Sequence, residues 1–202
     1  ESADEQRRVD GPLLAVEDLT TELGNYARKF YGRGMGQSRL AGVTGTNGKT
    51  TVAYLVAQAQ TLRDIPCGYL GTLGAGIPPG VSGQDLTTPD CLTLHKTIRK
   101  LETTFAAMEV SSHALSQNRV AGLSFETAAF TNLTHDHLDY HGDLDSYRVA
   151  KSLLFALPEL EHAILNVDDP ASAVLADNLH DGVKRLNVSM KTDTDVRGRI
   201  VR

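Results

Sequence analysis

The chain has 202 residues and a formal net charge of −5, with 41% hydrophobic residues, 5% aromatic residues and no Trp. That length allows one full domain, or one domain with part of another, around a core of Val, Leu, Ile and Ala. The acidic balance and the absence of a basic stripe argue against nucleic acid as a partner, and no apolar run reaches the roughly 18 residues of a membrane span. The acidic start Glu1-Ser-Ala-Asp-Glu5 does not read as a signal peptide, and the missing initiator Met points to a piece of a longer protein. Cys67 and Cys91 form no Cys-x-x-Cys pair, which predicts reduced thiols in a cytoplasmic protein.

In chain order, residues 1–37 are polar and irregular apart from one helix expected over Glu17–Tyr31. They read as the tail of a preceding domain plus a linker, with a second domain over 38–202. Leu40 to Val43 is a short apolar run expected to be a buried strand. The glycine-bearing turn Thr44-Gly-Thr-Asn-Gly-Lys49 follows, and then Val52, Leu55, Val56, Ala59 and Leu62 recur at helical spacing. Ile65–Leu70 is expected to be a strand. Gly71 to Asp85, with five Gly and two Pro, is expected to be a long loop.

A helix is expected to start at Thr88-Pro89-Asp90, with Pro in its first turn. Phe105–Val110 reads as a buried strand carrying one acid, and the connection from Leu101 is short. Further along, the pattern predicts a short helix at Ala114–Val120, a strand at Thr127–Asn132 and a loop at Leu133–Asp143. A helix at Asp145–Ala156, a strand at Ala163–Val167 and a helix at Asp169–Leu179 complete it. Beyond Lys184 no pattern is legible. Strands alternating with helices imply an α/β fold with a doubly wound, mostly parallel sheet and ligands at the carboxyl ends of its strands.

Strand, glycine turn and helix form the context in which a phosphate loop has physical meaning, because backbone N–H groups and the helix N-terminus face an anion. Gly45 and Gly48 let the main chain approach phosphate oxygens. Lys49 is placed to reach the terminal phosphates and Thr50 to offer a hydroxyl to magnesium. Val43 stands where the general pattern has its first glycine, so the loop is a short variant. The bland alternative is a surface turn opening an ordinary helix.

Glu109 is costly inside an apolar strand unless paired or bound to metal. It reads either as half of a buried salt bridge or as a magnesium ligand shared with Thr50. The loop His135-Asp-His-Leu-Asp-Tyr-His141 holds three His and two Asp in seven residues. A zinc hydrolase pattern, His-x-His-x-Asp-His, fails here because Tyr140 pushes the last histidine out by one. Lys151 lies four residues after Tyr147, and periodicity alone makes it an exposed lysine.

Taken together, Thr44–Thr50, Thr87-Thr-Pro89, Met108-Glu-Val-Ser-Ser-His113, Gln117-Asn-Arg119, Thr131-Asn-Leu133, Asp136–Gly142, Ala150-Lys151 and Asn166-Val-Asp-Asp169 resemble the Mur ligases. These are the ATP-dependent amide-forming enzymes of peptidoglycan assembly, and Glu-Val-Ser-Ser-His and Asp-His-Leu-Asp-Tyr-His-Gly look most like the MurE type. The resemblance runs from about Leu23 to Leu179 and implies a three-domain enzyme of which this chain holds the central ATPase domain. It implies that a diamino acid, meso-diaminopimelate or L-lysine, is added to UDP-MurNAc-L-Ala-D-Glu through an acyl phosphate, by a cytoplasmic, monomeric protein.

By the same likeness, Gly45, Thr46, Asn47, Gly48, Lys49, Thr50 and Thr51 grip ATP, with Asn132, Asn166 and Asp168 as further nucleotide contacts. Thr87, Thr88, Ser111, Gln117 and Arg119 contact the UDP-linked substrate, and Leu86 stands where relatives carry Asn. Thr50, Glu109 and His137 hold magnesium, joined by Lys151 as a carbamylated lysine; Lys49, Glu109, His137 and Lys151 form the catalytic set. The rival readings are a folylpolyglutamate synthase, which usually carries a Gly-Lys-Gly-Ser turn, an ATP–magnesium-binding fragment with no turnover, and the zinc hydrolase.

Overall fold

The computed structural model describes residues 15–32, 38–83 and 86–200. The expectations for residues 1–14, 33–37 and 84–85 lie outside the described residues. The helices are α1 (Leu19–Tyr31), α2 (Lys49–Thr61), α3 (Cys91–Leu101), α4 (Ser112–Ser116), α5 (Leu138–His141), α6 (Leu144–Ser152) and α7 (Ala171–Asp177). The strands are β1 (Arg39–Thr44), β2 (Cys67–Gly71), β3 (Gly74–Ile77), β4 (Gly80–Ser82), β5 (Phe105–Glu109), β6 (Phe125–Phe130), β7 (His162–Asn166), β8 (Lys184–Ser189) and β9 (Val196–Arg197).

They form one sheet in the order β4-β3-β2-β5-β1-β6-β7-β8-β9. All pairings are parallel except β2–β3 and β3–β4. The expected α/β, mostly parallel sheet is therefore what the chain builds. β1 lies at its centre, so the loop leaving β1 opens at the middle of the carboxyl edge.

Strand alternation sorts the core into two layers. Leu40, Leu70, Ala106, Met108, Phe125 and Phe130 pack with Leu94 of α3, Leu115 of α4 and Leu175 of α7. Val43, Tyr69 and Ala107 face the other way and pack against Ala53 and Ala57 of α2. The parity of β5 thus carries Glu109 onto the face covered by α2, beside Tyr69 of β2. Local capping sets the helix starts: Asp18 accepts from Thr21 N, Asp90 from Thr93 N and Asp143 from Ser146 N. α1 packs on the α3 side, where Gly24 sits so close to Ala121 that an added Cβ would fall 2.4 Å from its carbonyl carbon.

Several sequence expectations are corrected. The stretch after Gly71 is not one long loop: β3 and β4 extend the sheet from β2 as an antiparallel meander. Its glycines carry no side-chain alternation, and Gly76 lies where a Cβ would meet the Gly80 carbonyl oxygen at 2.2 Å. α3 begins after Asp90 as its cap, so Pro89 precedes the helix instead of occupying its first turn. The expected loop 133–143 contains α5, and the strand placed at Thr127 begins two residues earlier, at Phe125. β8 and β9 were not legible because β8 is largely exposed and lacks an apolar face. Backbone pairing to β7 makes it a strand. The short connection after Leu101 is accommodated by Glu102 in the left-handed region, at φ 50°.

Candidate active site

The loop between β1 and α2 is shaped by two left-handed glycines, Gly45 at φ +144° and Gly48 at φ +84°. A Cβ on Gly45 would fall 1.9 Å from Thr131 Oγ1, so the loop passes directly over the end of β6. Two residues past β6, and Asn166 at the end of β7, brace it. Thr46 N donates to the Asn132 carbonyl at 2.8 Å, and Asn47 exchanges hydrogen bonds with the Asn132 side chain at 3.0 and 3.1 Å. Thr131 Oγ1 donates to the Asn47 carbonyl at 2.6 Å, and Asn166 Nδ2 to the Thr131 carbonyl at 2.7 Å. Asn132 and Asn166 therefore support the loop from beneath. Thr51 lies exposed in the first turn of α2.

Thr50 Oγ1 donates to Glu109 Oε2 at 2.8 Å. Glu109 is 1% exposed, and its carboxylate also accepts from Tyr69 OH at 2.6 Å, Thr72 N at 2.7 Å and Thr72 Oγ1 at 3.3 Å. Among the described residues no salt bridge satisfies it. Hydroxyls and one amide do, which corrects the ion-pair alternative. Burial and the hydrogen bond to this carboxylate raise the Tyr69 phenol above its usual range. The donor set of Thr50, Glu109 and Thr72 is made of hard oxygens and fits magnesium.

Lys151 is 1% exposed, against the surface position that periodicity gave it. Its amine donates to the Gly45 carbonyl at 3.0 Å, and Lys49 donates to the same oxygen at 2.9 Å and to the Thr46 carbonyl at 2.8 Å. Burial, then the neighbouring Lys49 charge, push the Lys151 amine down to about 7, with Asp136 opposing. Burial also lowers Lys49, against the pull of Glu109 and Asp136.

His137 enters α5 in the left-handed region at φ 52°. It contacts Asp136 at 3.6 Å and the rings of His113 and Tyr147 at centroid distances of 5.0 and 6.1 Å, on the lysine's side of the cleft. The zinc reading is not supported. Among the described residues the one trio able to bring three metal-ligand atoms within 4.8 Å of each other is Glu126, Glu161 and His162, none of them from 135–141. Of that trio Glu126 is already bound to Arg39.

The expected substrate residues form a second wall. Arg119 grips Gln117 Oε1 through Nε and Nη2 at 2.9 and 2.6 Å and reaches the Thr88 carbonyl at 2.8 Å. Gln117 Nε2 donates to Tyr140 OH at 3.1 Å. Thr87 Oγ1 lies 3.1 Å from Thr72 Oγ1. Thr88 is buried, bonded to the Glu109 carbonyl and to Ser111 N, while Ser111 Oγ caps α4. Asp168 is turned to scaffolding: its oxygens accept from Ser189 Oγ at 2.5 Å and Met190 N at 2.7 Å.

Sequence reasoning missed Tyr69, Thr72, Asp136, Tyr140 and Tyr147 as members of this cleft. The Asp136–Gly142 motif and the Tyr147–Lys151 spacing were the signals available.

Fold and loop define a phosphate-loop α/β domain whose cleft joins a hard-oxygen pair to one buried and one half-buried lysine. Residues 43–202 match the Mur ligase middle domain, and the chain belongs to that family. It is 46% identical over 186 residues to a UDP-N-acetylmuramoyl-L-alanyl-D-glutamate--2,6-diaminopimelate ligase of Alkalilimnicola ehrlichii, covering 91% of this chain and 37% of that protein. A Pseudomonas putida protein of the same name is 48% identical over 171 residues, with 83% and 34% covered. A solved structure of a ligase of that name superposes with a TM-score of 0.81 at 33% identity, covering 90% of this chain and 38% of the other. The chain thus spans less than two fifths of the length of these relatives. Among the described residues no helix is long and apolar enough to cross a membrane.

Proposed function

We propose that this chain is the central nucleotide-binding unit of a cytoplasmic ligase that adds meso-diaminopimelate to UDP-MurNAc-L-Ala-D-Glu at the expense of ATP. Residues 38–202 are that unit, and residues 1–37 end a preceding substrate-binding domain. The identity to named diaminopimelate ligases supports that amino acid over lysine. The observation that carries the reading is the Thr50–Glu109 pair set beside two lysines on the Gly45 carbonyl.

The chemistry needs two anions to meet, since a substrate carboxylate must attack the γ-phosphorus of ATP. The acyl phosphate so formed is then attacked by the diamino acid's amine, and phosphate leaves through a tetrahedral intermediate. The N–H groups of Gly48 to Thr51 at the start of α2 hold the phosphates, while those of Thr46 and Asn47 are engaged by Asn132 and shape the loop. Lys49 exchanges its two loop carbonyls for phosphate oxygens and places its charge where negative charge develops. Thr50 and Glu109, with His137, would hold magnesium, which would supply neutralisation of the phosphate charge.

Lys151, depressed to about 7, presents a neutral amine in a substantial share of molecules near neutral pH. Its nitrogen attacks CO2 and releases a proton, leaving an N-carboxylate. That converts a cation that would repel the metal into an oxygen donor. Gln117 and Arg119, with Thr87, Thr88 and Ser111 behind them, orient the UDP-linked substrate. Asn132, Asn166 and Asp168 act toward the nucleotide by fixing the loops around it.

The test is phosphate release by the full-length protein with ATP, magnesium and the UDP-dipeptide. Release that requires diaminopimelate and is not supported by lysine is expected. Release independent of any amino acid would overturn the reading.

A further inference from the structure

Tyr147 is a large side chain with 1% exposure at the inner end of this cleft, and a buried tyrosine needs a partner for its hydroxyl. Four residues before Lys151 on α6, it shares that lysine's helix face. The Lys151 amine lies 4.1 Å from the centroid of its ring. The hydroxyl lies 3.3 Å from Thr46 Oγ1, and Thr46 is pinned in turn by Thr134 N, which donates to the same oxygen at 3.0 Å. The rings of His141 and His137 stand beside Tyr147 at 5.0 and 6.1 Å. One side chain thus touches both the lysine and the phosphate loop, which come from different elements.

We propose that Tyr147 is a positioning residue: its ring is the wall that holds the Lys151 side chain, and its hydroxyl fastens that wall to Thr46 of the phosphate loop. The inference rests on the ligase reading above. A lysine amine ends a flexible four-carbon stem, and the hydrogen bond to the Gly45 carbonyl fixes the amine without fixing the stem. A flat ring at contact distance holds the stem. Because the hydroxyl ends on the loop, a displacement of α6 that carried Lys151 away from the phosphates would also break the Tyr147–Thr46 contact.

Two variants of the full-length ligase separate these roles. Tyr147→Phe keeps the ring and removes the hydroxyl; Tyr147→Met keeps approximate volume and removes the ring. The Lys151 carbamate is read by carbon NMR after labelling with 13C-bicarbonate, and kcat and the KM for ATP by phosphate release. In Tyr147→Phe the carbamate signal persists while the KM for ATP rises on the order of threefold to tenfold. In Tyr147→Met the signal falls by more than about half and kcat by at least roughly tenfold.

A folded Tyr147→Met enzyme with wild-type signal and kcat would overturn the proposal, as would a Phe variant that loses as much as Met. Should the Met variant fail to fold, Tyr147→Phe decides alone, and an unchanged KM for ATP sinks it. Wild-type enzyme that releases no phosphate in response to diaminopimelate is a different result, and it removes the ligase reading itself.

Discussion

Lys49 and Lys151 donate to one and the same acceptor, the carbonyl oxygen of Gly45, at 2.9 and 3.0 Å. Two amines on a single oxygen in a buried site disfavour double protonation, and the deeper one yields. The pH dependence of stability follows with a definite sign. With its ordinary value at 10.5 and its folded value near 7, Lys151 binds a proton in the unfolded chain before it does so in the folded one. Its contribution to stability is fully present above 10.5, falls as pH drops through that window and is flat below about 7. In CO2-free buffer the unfolding free energy of wild type, measured by urea denaturation, is expected to rise with pH relative to Lys151→Met, at up to about 1.4 kcal/mol per pH unit. Parallel profiles for the two proteins would contradict the burial of a titrating amine.

In the full-length enzyme Lys151→Ala is expected to abolish amide formation, and removal of dissolved CO2 to slow the wild type. Turnover of the Ala variant at the wild-type rate would eliminate any role for a carbamate.

Glu109→Gln places an amide NH2 among Thr50 Oγ1, Tyr69 OH and Thr72 N, all of which donate to the native carboxylate. One buried donor is then left facing another, at a cost of about 1–3 kcal/mol. ATP affinity is expected to lose most of its dependence on magnesium, measured by calorimetry with and without the ion. An unaltered magnesium dependence would show that the carboxylate does not serve the metal.

Gly71 tests the same pocket by steric means. A Cβ there would lie 2.1 Å from Glu109 Oε1 and 2.4 Å from Tyr69 OH, whereas one on Gly83 meets nothing within 4 Å. Gly71→Ala is expected to destabilise by about 1–3 kcal/mol and to reproduce the magnesium phenotype of Glu109→Gln. Gly83→Ala should do neither, as denaturant unfolding and the same calorimetry would reveal.

The 202-residue chain by itself is expected to bind ATP–magnesium weakly and to make no amide. Tripeptide product from the isolated chain would refute this. Metal analysis is expected to find no stoichiometric zinc.

Much of the site was legible in local sequence because its physics is local. Gly45, Gly48, Lys49 and Thr50 act through a turn and a helix start only a few residues long. Glu109 announced itself as an acid in an apolar strand, which must find partners wherever the chain goes. What could not be read was who those partners are. Tyr69 and Thr72 reach Glu109 because β2 lies beside β5, a pairing set by the sheet order and encoded in no short segment. Lys151 went the same way: spacing gave it a helix face, but only the packing of α6 against the loop buried that face. Asp168 illustrates the reverse, since its motif suggested a nucleotide contact while the position of β8 turned both carboxylate oxygens to Ser189 and Met190.

By itself, then, the sequence determined the glycine-bearing loop, the alternating strands and helices and the identity of the chemical groups, because each depends on neighbours within a few residues, and the family, through short motifs spread from Thr44 to Asp169. Tertiary structure alone decided the four-donor cradle of Glu109, the shared carbonyl of the two lysines and the edge strands β3, β4, β8 and β9. Those depend on which strands become neighbours and on desolvation, and both are properties of the packed whole.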